Sequence, residues 1–148
     1  MKVNMLSLEN IEECTRLYTE VFNGEPWNDG WEVEDARERL LEIFSNRKFL
    51  GIGIWDDQQE IIGFLAGYTE KWLDSSHFNL IEICVRSDVQ GNGIGSQLLN
   101  ELEVLCRKNK VSRVYLLTAR DGQAEAFYKK NGFYVSPKMI LMSKGWSR

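Results

Sequence analysis

A segment in the second half of the chain joins a strand to a helix through a turn that contains three glycines. Ile83–Arg86 has the pattern of a strand end, Gly91, Gly93 and Gly95 follow, and an apolar stripe with helical steps begins at Ile94. Glycine adopts backbone conformations that other residues avoid, so this turn can bend sharply and approach a ligand closely. The segment predicts a strand–turn–helix unit, which points to an α/β fold.

The hydrophobic pattern predicts further elements around that unit. Helices are expected from Ser7 through Val21, over about Glu32–Ser45, over Gly93–Asn109 and from Asp121 through Lys130. Strands are expected at Lys2–Met5, Phe49–Trp55, Ile61–Lys71, Phe78–Arg86 and Val114–Ala119, with two more within Phe133–Lys144. Antiparallel strands come first and a strand–helix–strand crossover follows. We therefore predict one domain over residues 1–148, with a mixed, mostly antiparallel central sheet and helices on both faces.

Composition narrows the classes of protein and ligand. The 148 residues are 43% hydrophobic and 27% charged, which is typical of a globular chain. No apolar run approaches the roughly 20 residues of a membrane span. Three cysteines and one histidine give neither a disulfide framework nor a metal-binding pattern. We expect a reduced, cytoplasmic protein without a metal, with neither nucleic acid nor membrane as partner, and leave a homodimer open.

The net charge of −4 hides an uneven distribution. Residues 1–45 hold eleven acids against four bases, whereas residues 106–148 hold ten bases against two acids. This division could serve a cationic ligand near the first part and an anionic ligand near the second. Two solvated faces that merely balance each other are the alternative.

The glycine turn suits a phosphate group. Its amides and the following helix dipole favour an anion, and no acid occurs between Val89 and Asn100. A Walker loop would need Lys before a Ser or Thr, but Ser96-Gln97 follows the last glycine. A dinucleotide-binding loop would need its third glycine one residue later than Gly95. Glycines that serve only a tight turn remain the alternative.

Two motifs resemble those of the GNAT superfamily of N-acetyltransferases. Gln90-Gly91-Asn92-Gly93-Ile94-Gly95 resembles its acyl-CoA pyrophosphate loop, Gln/Arg-Gly-x-Gly-x-Gly/Ala, at every specified position. The segment 124–133 resembles its Ala-x-x-Phe-Tyr-x-x-x-Gly-Phe signature, although Asp121 stands where the family often has Asn. The resemblance covers about Phe78–Val135. It implies a single-domain GNAT-like fold in which two parallel strands, Phe78–Arg86 and Val114–Ala119, splay apart.

The resemblance also implies acetyl-CoA as the acetyl donor, lying between those two strands. Its pantetheine arm would pair with the backbone of Ile83, Cys84 and Val85. The implied cofactor-binding residues are Ile83, Cys84, Val85, Gln90, Gly91, Asn92, Gly93, Ile94, Gly95, Ser96, Asp121, Phe127 and Tyr128.

Glu82 and Tyr128 are the candidate catalytic residues. Acyl transfer from a thioester to an amine needs a base for the ammonium proton and an acid for the departing thiolate. Glu82 is a carboxylate in the middle of a strand, where Glu is depleted, and we predict that it is the base, unless it only pairs with a surface cation. The position of Tyr128 in the family motif implies the acid; a core aromatic is the alternative. Cys84 is expected to be a small buried residue and His77 a loop residue.

The N-terminal loop is the candidate acceptor site. Glu25, Trp27, Asp29 and Trp31 combine carboxylates with aromatic rings, which suits a cationic amine; tryptophans that only cover the core are the alternative. We expect an N-acetyltransferase that moves acetyl to a small cationic primary amine by direct attack in a ternary complex. Two alternatives stay open: a protein N-terminal or lysine acetyltransferase, and a non-catalytic acyl-CoA-binding module.

Overall fold

The computed structural model describes residues 1–147, which form two compact units that divide after Leu117. The first unit contains, in order, β1 (Lys2–Met5), α1 (Ile11–Asn23), α2 (Val33–Phe44), β2 (Phe49–Trp55), β3 (Ile61–Trp72), β4 (Ser75–Val85), α3 (Ile94–Lys108) and β5 (Val111–Tyr115). The second contains α4 (Gln123–Lys130). That the whole chain is one domain stays a prediction.

The five strands form one sheet in the order β1-β2-β3-β4-β5. The first three pairings are antiparallel, and β4 and β5 are parallel. A parallel pair needs a crossover connection, and α3 supplies it between β4 and β5. The predicted mixed, mostly antiparallel sheet is therefore confirmed.

Helices cover both faces of this sheet. On one face, Cys14 and Tyr18 of α1 and Leu40 of α2 join a buried cluster with Phe64 of β3 and Cys84 of β4. On the other face, Ile94 and Leu98 of α3 lie against β3 at Gly63. Full burial of a leucine-sized side chain contributes about 1.5–3 kcal/mol. These two layers therefore fix the position of β4 from both sides.

A β-bulge interrupts the pairing of β3 with β4. Ala66 lies opposite Glu82 and its neighbour Gly67 lies opposite Leu80, so Ile81 is an extra residue. Adjacent residues of β3 face opposite sides of the sheet, and their partners must do the same. Leu80 and Glu82 consequently face opposite sides, although two residues separate them in the sequence. Ile81 packs against the cluster that contains Cys84. Ile81, Ile83 and Val85 therefore do not form the single apolar face that strict alternation along the strand would give them.

Helix starts differ from the predictions in two places. Ser7 caps a short 3-10 turn, Leu8–Asn10, that precedes α1, rather than α1 itself. Asp121 does not cap α4: it has a φ of 62°, and Gly122 holds the cap position. The N–H of Asp121 instead donates to the Glu125 carboxylate at 2.8 Å. A side chain within α4 therefore accepts the hydrogen bond at this turn.

Strand predictions fail towards the end of the chain. β5 spans Val111–Tyr115 rather than Val114–Ala119, because β4 offers pairing partners only along that earlier stretch. The two strands predicted within Phe133–Lys144 are wrong, since residues 131–147 contain neither strand nor helix. The apolar side chains there are exposed: Tyr134, Val135, Met139, Ile140, Leu141 and Met142. An apolar pattern makes a strand only where a neighbouring strand satisfies its backbone groups.

Among the described residues, no helix has both the length and the apolar character that crossing a membrane requires.

Candidate active site

The outer part of β4 has a free backbone edge. β4 pairs with β5 only from Ser76 to Asn79, and within the described residues no β5 partner lies beyond Asn79. The bulge at Ile81 begins the stretch that parts from β5, and a bulge bends its strand. Ile83, Cys84 and Val85 follow on this stretch, with backbone groups that the β4–β5 ladder does not use. The splayed strand pair that the sequence implied is present.

The glycine turn presents backbone N–H groups to solvent. Gly91 and Gly93 both have a φ of 84°, and a side chain built on either would meet open space. Gly93 holds the cap position of α3, where no side chain caps the helix and no acid stands in the first turn. The first amides of a helix lack intrahelical partners. The turn therefore offers unsatisfied donors and a positive dipole end to an anion.

The side chains of the turn have distinct places. The Gln90 side-chain amide donates to the carbonyl oxygen of Val85 at 2.9 Å, which ties the turn to the end of β4. Ile94 is buried and anchors the start of α3, Gly95 and Ser96 are half-buried, and Asn92 is exposed. This turn therefore offers a ligand its backbone groups rather than its side chains.

Glu82 lies on the stretch of β4 that has parted from β5. Its side chain is only 11% exposed. The Arg39 guanidinium on α2 donates to its Oε1 twice, from Nε at 2.9 Å and from Nη2 at 2.6 Å. The predicted alternative, a glutamate that pairs with a surface cation, is met only in part, because the cation is present while the carboxylate is buried.

Burial and hydrogen bonds act in opposite directions on this carboxylate. Burial raises the pKa of Glu82 above its ordinary value, and this is the largest effect. Hydrogen bonds from Arg39 and from the Tyr18 hydroxyl lower the pKa, without offsetting burial completely. The result is a carboxylate that binds a proton more tightly than an exposed glutamate does.

An acidic surface cleft lies beside these residues. It has a volume of about 440 Å³ and is lined by Asp29, Gly30, Trp31, Glu32 and Asp35. The Trp31 ring packs edge-on against the ring of Tyr18, 5.4 Å between centroids. The charge of Asp29 raises the pKa of Glu82. The cleft is therefore in electrostatic contact with the buried carboxylate.

The cleft contains two of the four predicted acceptor residues. Asp29 accepts a hydrogen bond from the Trp31 indole nitrogen at 3.2 Å, and Asn23 holds the Trp31 backbone through two further hydrogen bonds. Trp27 packs edge-on against Phe22 outside the cleft lining, and Glu25 is exposed in the preceding turn. The structure thus brings Asp29 and Trp31 together and leaves Glu25 and Trp27 aside.

The second unit contains the segment 124–133, which is the second of the two GNAT-like motifs. Tyr128 on α4 is buried, with its ring edge-on to Phe127 and Phe133. The N–H groups of Gly132 and Phe133 donate to the carbonyls of Lys129 and Tyr128, which ends the helix in a Schellman motif. Part of the motif therefore serves to terminate α4 and to hold the tyrosine ring. Asp121 lies exposed before the helix.

The surroundings of Cys84 and His77 indicate structural roles. Cys84 is 2% exposed, and burial raises the pKa of its thiol well above the ordinary value. A buried neutral thiol is a poor nucleophile. His77 stacks on Trp72 at 5.5 Å between ring centroids and lies on β4, not in a loop as predicted.

Comparison with known proteins decides the family. A sequence model of the Acetyltransferase (GNAT) family matches residues 11–133. The chain belongs to this family. The resemblance seen in the two motifs is thereby confirmed, and with it the α/β GNAT fold.

Individual relatives agree with this membership. The chain is 31% identical over 92 residues, 62% of its length, to the uncharacterized protein YxbD of Bacillus subtilis, and 30% identical over 98 residues, 66% of its length, to the histone acetyltransferase GCN5 of Debaryomyces hansenii. These matches span 54% and 21% of the two relatives.

One solved structure is an aminoglycoside acetyltransferase from an uncultured soil metagenomic sample, in complex with sisomicin. It superposes with a TM-score of 0.78 at 16% identity, covering 99% of this chain and 96% of that one. At this identity the likeness shows the fold alone.

Two residues that interact with Glu82 were not predicted from the sequence. Tyr18 and Arg39 lie within helices that the sequence predicted, but neither had a predicted role in the site. The pairing of Arg39 with Glu82 joins positions 43 residues apart. Two arginines, Arg37 and Arg39, on an otherwise acidic helix were the only signal in the sequence.

Proposed function

We propose that this protein transfers an acetyl group from acetyl-CoA to the primary amine of a small cationic acceptor, by direct attack in a ternary complex. The observation that carries the proposal is the position of Glu82. A buried carboxylate lies on the very stretch of β4 whose backbone edge is free of β5. A proton acceptor and a place for an extended donor therefore share one strand.

The residues of the first unit fit acetyl-CoA. The free edge of Ile83, Cys84 and Val85 suits the amides of a pantetheine arm, and the uncapped start of α3 suits a pyrophosphate. The open space beside Gly91 and Gly93 allows a phosphate to approach the backbone closely. Bound there, acetyl-CoA supplies a thioester that an amine can attack and a thiolate leaving group.

Glu82 takes the proton of the incoming ammonium in this proposal. Its raised pKa makes it a stronger base than an exposed glutamate, while the hydrogen bonds from Arg39 favour its ionised form. Tyr128 gives its hydroxyl proton to the departing sulfur, an assignment that rests on its place in the family motif. Cys84 forms no acyl intermediate, because its thiol is buried and protonated.

The acidic cleft favours a cationic acceptor. Asp29, Glu32 and Asp35 can attract an ammonium group, and the Trp31 ring can add a cation–π contact. An aminoglycoside is a polycationic amine, and an aminoglycoside acetyltransferase shares this fold. All three cysteines are buried free thiols, which suits the reducing cytoplasm as the place of action.

A thiol-release assay tests the proposal. Purified protein and acetyl-CoA are mixed with a polyamine, an aminoglycoside, amino acid amides and peptides with a free N-terminus or lysine, and free CoA is followed with a thiol reagent. We expect CoA release above the hydrolysis background with a small polycation, with higher kcat/KM than for any peptide.

Two other results would replace the proposal. Higher kcat/KM for a peptide would identify a protein acetyltransferase. Tight acetyl-CoA binding by calorimetry, with no amine-dependent CoA release across the panel, would identify an acyl-CoA-binding module.

A further inference from the structure

Two side chains from the N-terminal helices surround the carboxylate of Glu82. Arg39 reaches from α2 with two hydrogen bonds to one oxygen, and Tyr18 reaches from α1. We infer that Arg39 and Tyr18 are positioning residues, which hold the buried Glu82 side chain in its charged form and in a fixed orientation. This inference concerns the base of the proposed acetyl transfer and rests on that function.

The Glu82 carboxylate is costly to bury in its ionised form. An ionised carboxylate without a partner in a protein interior takes up a proton instead of remaining charged. Glu82 is 11% exposed, whereas the Arg39 side chain is 40% exposed and keeps contact with water. Arg39 therefore compensates the buried charge from the solvent side of α2. A guanidinium does this reliably because it stays protonated at every working pH.

Tyr18 interacts with both the Glu82 carboxylate and the acidic cleft. Burial and the charge of Glu82 both raise the pKa of Tyr18, so its hydroxyl stays protonated and can donate to the carboxylate while its oxygen accepts from Arg39. The same ring is the edge-on neighbour of Trp31 in the acidic cleft. Tyr18 thus joins the base to the wall of the proposed acceptor site.

Charged and titratable groups face Glu82 from each packed element. Tyr18 belongs to α1, Asp29 to the loop before α2, Arg39 to α2 and Cys84 to β4 itself. Asp29 acts against Arg39, because its negative charge raises the pKa of Glu82. Cys84 is neutral, since its own pKa is raised. Arg39 is therefore the cation that balances burial and Asp29.

This arrangement predicts a specific pH effect. A base works only when ionised, so activity is present above the pKa of Glu82 and lost below it. Removing Arg39 takes away the larger of the two interactions that oppose burial, and so raises that pKa. An adjacent opposite charge lowers a carboxyl pKa by about 1–3 units. The acidic limb of kcat/KM should move to higher pH by a similar amount.

Four variants test the inference: Arg39→Gln, Arg39→Lys, Tyr18→Phe and Arg37→Gln. Arg37 lies on the same helix and pairs with the exposed Glu12 and Glu34, so it is a matched control. We expect Arg39→Gln to shift the acidic limb upward by about 1–3 pH units. Arg39→Lys should restore part of the shift, Tyr18→Phe should give a smaller one, and Arg37→Gln none.

A measurement without turnover keeps the inference separate from the proposed function. Carboxyl carbons of ¹³C-labelled glutamate are titrated by NMR, with Glu82 assigned by its loss in Glu82→Gln. The Glu82 midpoint should rise in Arg39→Gln and in Tyr18→Phe even if no amine is acetylated. A midpoint that stays at the wild-type value in both variants, or that moves as far in Arg37→Gln, would overturn the inference. If Arg39→Gln does not fold, Tyr18→Phe decides.

Discussion

The starts of α2 and α3 have the same backbone problem and opposite surroundings. Neither helix has a side chain that caps its first N–H groups. The first turn of α2 carries Glu34 and Asp35, and Glu32 precedes it, whereas the first turn of α3 carries no acid. One helix start satisfies its positive end with its own carboxylates, and the other leaves it for an external anion. Two similar helix ends can therefore serve ligands of opposite charge.

In the proposed function, this difference separates the side that would bind acetyl-CoA (the donor side), made of backbone, from the side that would bind the amine (the acceptor side), made of side chains. On the donor side, Gly91 and Gly93 have a φ of 84°, so any substitution with a Cβ would strain the backbone of the turn. On the acceptor side, Asp29, Trp31 and Glu82 can each be changed alone. The following variants should affect one side and leave the other intact.

Glu82→Gln should have the largest effect. Loss of a general base typically costs about 100- to 10,000-fold in rate, and we expect kcat to fall within this range while acetyl-CoA affinity stays nearly unchanged. The acidic limb of the wild-type pH–rate profile, displaced upward by the raised pKa of Glu82, should disappear. Stopped assays across pH and calorimetry with acetyl-CoA measure both.

A matched control for that variant is Glu103→Gln, which removes an exposed partner of Arg107 on α3. It should change neither kcat nor the pH profile. If Glu82→Gln keeps both the limb and the rate, the proton goes to another group and Glu82 only supports the fold.

Tyr128→Phe should have the next largest effect. A thiolate leaves fairly well without help, so we expect kcat to fall by roughly 10- to 100-fold, at or below the lower end of general acid–base contributions. The ring keeps its contacts with Phe127 and Phe133, so KM for acetyl-CoA should change little. Steady-state kinetics, with chemistry shown to limit turnover, measures this. Wild-type kcat with a lowered Tm would mark Tyr128 as a core aromatic.

Gly93→Val tests the donor side alone. A β-branched residue is strained at a φ of 84°, and its side chain would fill the space that a phosphate needs. We expect the Kd of acetyl-CoA to rise at least about tenfold, a loss comparable to removal of the close backbone approach. Calorimetry on the folded variant measures it.

Gly30→Val is the control, because Gly30 has a φ of 76° with equally open surroundings but lies in the acidic cleft. It carries similar backbone strain and should leave the Kd of acetyl-CoA unchanged. Equal losses in both variants would mean that strain, not phosphate binding, causes the effect.

Asp35→Asn should have the smallest effect, on the acceptor side. Removing one exposed carboxylate from the cleft should raise KM for a cationic acceptor a few-fold, since a solvent-exposed charge pair is worth about 0–1 kcal/mol. The effect should shrink as salt is added. Glu38→Gln, an exposed change on the same helix outside the cleft lining, should leave KM alone. Identical KM values for both variants and wild type would remove Asp35 from acceptor binding.

The sequence predicted the donor side more fully than the acceptor side. Glycines, the absence of acids and the helical stripe after Ile94 are local features, and local features can be found within one window. The contacts of Glu82 depend on Arg39 and Tyr18, which only the packing of α1 and α2 brings to β4. No periodicity encodes such a contact.

Two other failures have the same cause. The apolar residues around Ile140 have a strand-like composition, yet no neighbouring strand pairs with them, and they stay exposed. Ile81 belongs to a regular alternation on paper, but pairing with β3 makes it an extra residue. In both cases the outcome depends on whether and how another strand pairs with the segment, so the local pattern alone was insufficient.

Because of the extra residue at Ile81, the inside–outside alternation of β4 changes phase within the strand. Before it, even-numbered positions such as Phe78 and Leu80 lie on one face of the sheet; after it, even-numbered positions such as Glu82 and Cys84 lie on the other. A combinatorial library or a designed variant of this strand should therefore be drawn up as two short segments with separate inside–outside patterns. A single inside–outside pattern for the whole strand would place polar residues in the core on the α3 side, or apolar residues at the position of Glu82.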